Sequence, residues 1–264
     1  MFAALVAMLI FAGLPKAEAR EYDFDRVLRR GSHGRDVRAL ELRVAGWFSE
    51  KKRRLIIDRS FGRRTTRAVK AFQHHYGLTV DGIAGPQTFG KIKKLENSDG
   101  STAHFDWLEF AQKKRKGCSR RANSYAGSFR GGRVGRHRAK MNIKRLMWRL
   151  EAIRARAGDH PVLIVSGFRS VPYNRCIDGA RLSQHLYGLA VDTRIIGVSA
   201  RRERNVAKRS QIHGLACYST QWHNHLDLRI ENPKLPKYHH WWWPRRDARG
   251  RDLTSEGDRC RGER

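Results

Sequence analysis

The chain of 264 residues carries 55 Lys and Arg against 25 Asp and Glu, a formal net charge of +30. With 40% hydrophobic and 9% aromatic residues, its composition excludes a disordered chain and has room for two modest domains, each with its own core. The charge draws the protein toward polyanions, but does not choose among nucleic acid, an anionic membrane surface and an anionic cell wall.

Phe2 to Leu14 is apolar and uncharged, and Ala17-Glu18-Ala19 has the small-x-small form of a signal-peptidase site. Residues 1–19 therefore read as a signal peptide and the protein as exported, although no Lys or Arg precedes the apolar core. The run is shorter than the roughly 20 apolar residues of a spanning helix, so no transmembrane segment is expected once the leader is removed. Cysteine usage agrees with an oxidising compartment: Cys118, Cys176, Cys217 and Cys260 are even in number. None sits in a CxxC pair, which speaks against a thiolate zinc site. Three pairings are open, with Cys118–Cys176 and Cys217–Cys260 favoured.

Residues 27–95 read as a bundle of three short helices. Asp36 is placed to cap the first, whose apolar positions include Val37, Leu40 and Val44. A second follows Arg63 with Ala68, Val69 and Phe72 toward one side, and a third begins near Pro86, a residue suited to a first helical turn. Two stretches, "LRRGSHGRDVRALELRV" and "IDRSFGRRTTRAVKAFQHHYGLTVDGIAGPQTF", resemble the peptidoglycan-binding domain found at the ends of many wall hydrolases. Asp58, Phe61, Gly62, Phe72, Gln73, Asp81, Gly82 and Thr88 fall on that family's pattern. The resemblance implies wall binding; Asp81-Gly82 itself reads as turn chemistry rather than as a ligand contact.

Residues 96–102, Glu-Asn-Ser-Asp-Gly-Ser-Thr, are polar and aperiodic and read as a linker. Within residues 103–246, Lys113 to Lys116 reads as a solvated charge run. Asn142 to Ala157 reads as an amphipathic helix with Ile143, Leu146, Met147, Leu150 and Ile153 on its buried stripe and Lys144, Arg145 and Arg149 facing out. Val162 to Val165 has the length and β-branching of a strand and ends at a turn, Ser166-Gly167-Phe168-Arg169, from which a charged side chain can enter a cleft. The run His239-His240-Trp241-Trp242-Trp243 is expected to pack aromatics over a sheet. Residues 247–264 form a basic tail.

Two further segments carry chemistry. In "QWHNHLDLR", His223, His225, Asp227 and Arg229 alternate with Asn224, Leu226 and Leu228, so an extended strand puts a polar, metal-competent face opposite a core-packing face. In "SQHLYGLAVD", His185 and Asp192 offer a nitrogen and an anionic oxygen, suited to zinc. Two His and one Asp leave the fourth tetrahedral position for water, as a catalytic site requires.

"VSGFRSVPYNRCIDGARLSQHLYGLAVD" followed by "HNHLDLR" resembles the zinc D-alanyl-D-alanine carboxypeptidases and their relatives, which include VanX-type dipeptidases and murein endopeptidases. The resemblance implies an α+β domain around an antiparallel sheet, Zn2+ bound by His185, Asp192 and His225, and hydrolysis of wall peptides. It also implies that Arg169 binds substrate and stabilises the oxyanion. Several relatives carry a carboxylate base three residues before the last ligand, where this chain has Trp222. His223 is taken as the base instead, with Asp227 orienting a neighbouring imidazole. A second departure is Asp178, where relatives often carry Gly. The expected protein is a monomeric zinc peptidase of the periplasm or extracellular wall, with peptidoglycan and possible anionic wall polymers as partners. The rival reading is a non-catalytic peptidoglycan-binding protein with a structural metal; a nucleic-acid binder lacks a recognisable fold.

Overall fold

The computed structural model describes residues 22–50, 54–217, 223–231 and 241–243, with the backbone alone at 217 and 241–243. The expected signal peptide 1–19, Trp222, Cys260, the side chains of the 239–243 run and the expected tail 247–264 lie outside the described residues.

The first block holds α1 (Arg35–Val44), α2 (Arg63–His75) and α3 (Pro86–Lys94). Gly34, not Asp36, occupies the position before α1. Asp36 instead lies in the first turn, where a carboxylate suits the helix dipole, and meets Arg26 at 2.6 Å. Pro86 opens α3 as expected. Buried Gln73 ties down the 81–83 turn: its amide donates to Asp81 Oδ1 at 2.8 Å and to Ile83 O at 2.9 Å, and accepts from Gly82 N. Val37, Leu40, Trp47, Phe61, Val69, Phe72 and Ile92 form the core.

The second block adds α4 (Trp107–Phe110), α5 (Arg120–Asn123), α6 (Arg136–Arg156), β1 (Val162–Ser166), α7 (Val171–Cys176), β2 (Ala190–Ile195), α8 (Ala200–Arg209), β3 (Gly214–Cys217), β4 (Asn224–Asp227) and β5 (Trp241–Trp243). The sheet order is β1-β2-β4-β3-β5. The first four strands pair antiparallel, as expected, and β5 adds to the edge parallel to β3. Strand β5 therefore runs opposite to β4. Val191, Leu215 and Leu226 turn the apolar face of this sheet toward α6.

Helix α6 departs from the sequence expectation in a way that joins the two blocks. It begins at Arg136, earlier than Asn142, and is buried on two sides. Ile143, Leu146, Met147, Leu150 and Ile153 pack on the sheet, while Trp148, Ala152 and Ala155 belong to the core of the first block. Lys144 and Arg149, expected to face out, are therefore 4% and 0% exposed. Charges so placed need partners: Lys144 Nζ pairs with Glu96 Oε1, and Arg149 Nη2 with Glu231 Oε1 at 2.9 Å. Glu96 also receives Arg43 Nε at 2.8 Å.

The 96–102 joint is accordingly not a loose tether. Glu96, Ser101 and Thr102 are buried, and Asn97 Nδ2 donates to Thr102 O at 2.9 Å. Farther along the contact, Arg156 donates to Gly46 O and Trp47 O at 2.9 and 2.7 Å. Cys118 and Cys176 form a disulfide that ties the loop before α5 to the end of α7. The other favoured pair, Cys217–Cys260, lies outside the described residues. No helix among the described residues is long and apolar enough to cross a membrane.

Candidate metal centre

Antiparallel pairing sets β2 against β4 so that Asp192 lies directly across from His225 and Ala190 across from Asp227. On the other flank of β4, Ala216 faces His225 and Gly214 faces Asp227. The polar face of β4 is thus framed by small residues that leave room for its side chains. Gly214 is required there: a Cβ at this position would come within 2.3 Å of both Asp227 carboxylate oxygens. His185 arrives from the turn before β2, which ends at Gly188 with φ +69°; a Cβ at Gly188 would meet Ala139 O at 2.8 Å.

These elements bring the three expected ligands together. His185 Nε2 lies 3.1 Å from His225 Nδ1 and 3.2 Å from Asp192 Oδ1, and His225 Nδ1 lies 2.9 Å from the same oxygen. Among the described residues it is the one His/Cys/Asp/Glu group able to share an ion. Ligands about 2.0–2.1 Å from a tetrahedral zinc are about 3.3 Å apart, so two nitrogens and one oxygen at these separations fit such an ion after a small expansion.

The surrounding hydrogen bonds present the right lone pairs. His185 Nδ1 donates to Gly167 O at 2.6 Å, leaving Nε2 to face the centre. His225 Nε2 donates to Asp227 Oδ2 at 3.2 Å, leaving Nδ1. Asp227 is fully buried and clamped by Arg229, whose Nε lies 2.9 and 3.0 Å from its two oxygens. Arg169 Nη2 donates to Asp192 Oδ2 at 2.5 Å and its Nε to Ser166 Oγ at 3.0 Å, so Oδ1 is left for the centre.

Protonation follows from these contacts. Burial and the nearby Arg169 cation pull His185 down to about 4. Burial also works against charge on His225, but its hydrogen bonds to Asp192 and Asp227 prevail and hold it up at about 9, so an ion taken at Nδ1 displaces the proton shared with Asp192. Burial would raise Asp192 and Asp227, yet the imidazoles, and for Asp227 also Arg229, keep both below the usual carboxylate range. His223, half-buried at the head of β4, is lowered by burial.

The centre opens into a cavity of about 570 Å³ lined also by His223, Arg169, Arg229, Tyr173, Asp178 and Arg115. Every expected site residue is in or beside this centre. Sequence reasoning missed the Gly167 carbonyl, Ser166, the Arg229 clamp and Gly214, and it read Arg115 as part of a solvated run. Of these, the Arg229 clamp had a signal, because Arg229 follows Asp227 in the same alternation of the sequence, although the strand ends at Asp227 and Arg229 opens a 3-10 turn.

Residues 108–227 match the family described as "Peptidase M15", and residues 34–92 match the one described as "Putative peptidoglycan binding domain". The zinc D-Ala-D-Ala carboxypeptidase of Streptomyces albus G is 38% identical over 193 residues, covering 73% of this chain and 69% of that protein. The spore cortex-lytic enzyme of Halalkalibacterium halodurans is 32% identical over 96 residues, covering 35% of this chain and 28% of that protein. Among solved structures, the SleB N-terminal domain is 36% identical, covering 27% of this chain and 93% of its own, at a TM-score of 0.23.

Proposed function

The chain belongs to the M15 peptidases and carries a peptidoglycan-binding domain, and from this premise we propose that His185, Asp192 and His225 hold the zinc with which it cleaves peptide bonds of the bacterial wall. It is a zinc peptidase acting on peptidoglycan, of D-Ala-D-Ala carboxypeptidase or endopeptidase type. The observation that carries the ligand assignment is the mutual 2.9–3.2 Å approach of two imidazole nitrogens and one carboxylate oxygen beside an open cavity. An opening of this kind suits a catalytic site; a structural zinc is normally closed by four protein ligands, which disfavours the non-catalytic reading.

Zinc in such a site supplies Lewis-acid activation of water and of a carbonyl oxygen at neutral pH. His223 lines the cavity beside the ligands, and burial favours its neutral form. It accepts the proton released by the attacking water and returns it to the departing amine. Arg169 spends two N–H groups on Ser166 and Asp192; the rest of its five donors bind the carbonyl oxygen as negative charge develops there. Asp227 and Gly167 O keep the two imidazoles in the tautomers that ligation needs.

The first block, residues 27–95, holds the enzyme on its polymer, and the excess positive charge adds attraction to anionic wall polymers. The protein acts outside the cytoplasmic membrane, in the periplasm or the extracellular wall, as a monomer. The test is mass spectrometry of purified sacculi digested with and without a chelator, using wild type, His185→Ala and Asp192→Ala. Stem peptides should be shortened or released only by the metal-loaded wild type, while all three proteins still pellet with sacculi. Cleavage that persists in a variant stripped of metal would overturn the assignment.

A further inference from the structure

Most charges lining the cavity are consumed internally: Asp192 by Arg169 and the imidazoles, and Arg229 by Asp227 behind it. Two are not. Arg115 and Asp178 line the same cavity, and among the described residues neither side chain makes an ion pair or a hydrogen bond.

Asp178 also occupies a costly position. It follows the end of α7 with φ +54°, in the left-handed region that glycine fills most easily. Asp is tolerated there when its carboxylate bonds to nearby backbone, but no such bond is made here. The turn therefore gives no reason for the carboxylate, and residues held in this way at a cleft point to a ligand. Arg115 lies three residues before Cys118 and Asp178 two residues after Cys176, so the disulfide staples their two segments with its Cα atoms 5.8 Å apart. One cross-link holds a cation and an anion on one rim.

We propose that Asp178 and Arg115 form a specificity subsite for the diamino acid of the stem peptide, with Asp178 taking its free ammonium and Arg115 the carboxylate beside it. The inference rests on the peptidase reading above. Its consequence is a choice of substrate state. Cross-linking converts that ammonium into an uncharged amide, so an enzyme that reads it selects stems not yet cross-linked and works on their free ends.

The experiment compares kcat/KM at low salt for pentapeptide stems that differ only at the third residue: L-lysine, Nε-acetyl-lysine and meso-diaminopimelate. Both side chains sit on an exposed rim, so the expected effects are those of screened ion pairs, on the order of fivefold. The zinc-loaded wild type should prefer lysine to acetyl-lysine about fivefold, and Asp178→Asn should bring that ratio below about twofold. Asn keeps the left-handed turn, so the change isolates the charge. Arg115→Gln should leave the lysine to acetyl-lysine ratio standing and remove a preference for diaminopimelate over lysine. Unequal folding is excluded by matched zinc content and melting temperature. A wild type that cleaves all three peptides without preference, or an unchanged ratio in Asp178→Asn, overturns the subsite and leaves the peptidase intact. A wild type that cleaves none of them also overturns the subsite, because it then does not act on free stem ends; the peptidase reading is decided separately by the sacculus digest.

Discussion

Replacing Asp227 by Asn removes a charge from behind the metal centre while preserving volume. The carboxylate is fully buried; Oδ2 accepts from His225 Nε2 at 3.2 Å, and both oxygens face Arg229 Nε at 2.9 and 3.0 Å. An amide has one accepting oxygen, so its NH2 must confront either the guanidinium or the imidazole N–H. The relief open to His225 is the other tautomer, with its proton on Nδ1, the atom needed for the ion. Losing an outer partner of this kind weakens metal binding 10–100-fold, or about 1.4–2.7 kcal/mol. Competition for zinc against a chromophoric chelator measures this directly, and the melting temperature of the metal-free variant controls for unfolding. Zinc affinity within twofold of wild type, in a folded variant, would refute the idea that Asp227 acts through His225.

His223→Ala should keep stoichiometric zinc and lower kcat on a pentapeptide stem by about 10²–10⁴; an undiminished rate rejects it as the base. Buried Glu41 is raised to about 7, chiefly by desolvation. A carboxyl raised in the folded state stabilises fully below its ordinary value near 4.5, and that stability is lost as pH climbs through about 7, here about 3 kcal/mol. Glu41→Gln should therefore gain on wild type in denaturant melts as pH rises from 4.5 to 8, and a pH-independent difference sinks the account. Trp148→Ala should cost about 3–5 kcal/mol and split a single calorimetric transition into two; a loss below about 1 kcal/mol would mean that the blocks stand independently.

Of the ligands, His225 was legible because a two-residue period sorts His223, His225 and Asp227 from Leu226 and Leu228 without any tertiary knowledge, whereas His185 and Asp192 stood out only through the family resemblance. Pairing register was not: nothing local says that Asp192 lies across from His225, or that Gly214 must lack a Cβ because Asp227 faces it. Lys144 and Arg149 misled for a related reason. A charged position on an amphipathic helix reads as solvent-facing unless a second body covers it, and here the covering body and the neutralising carboxylates Glu96 and Glu231 come from distant parts of the chain. Arg115 was hidden by its neighbours, since a run of four basic residues looks uniform until the fold turns one of them into the cavity.

An enzyme on a slack tether sweeps a volume around its anchor, and its local substrate concentration is set by linker length. A single helix lodged in both cores removes that freedom. The bonds within reach then lie at one offset and one heading from the point where the first block holds the peptidoglycan. Advance along the wall requires letting go and landing again, and the cuts inherit the spacing of the polymer's own repeat.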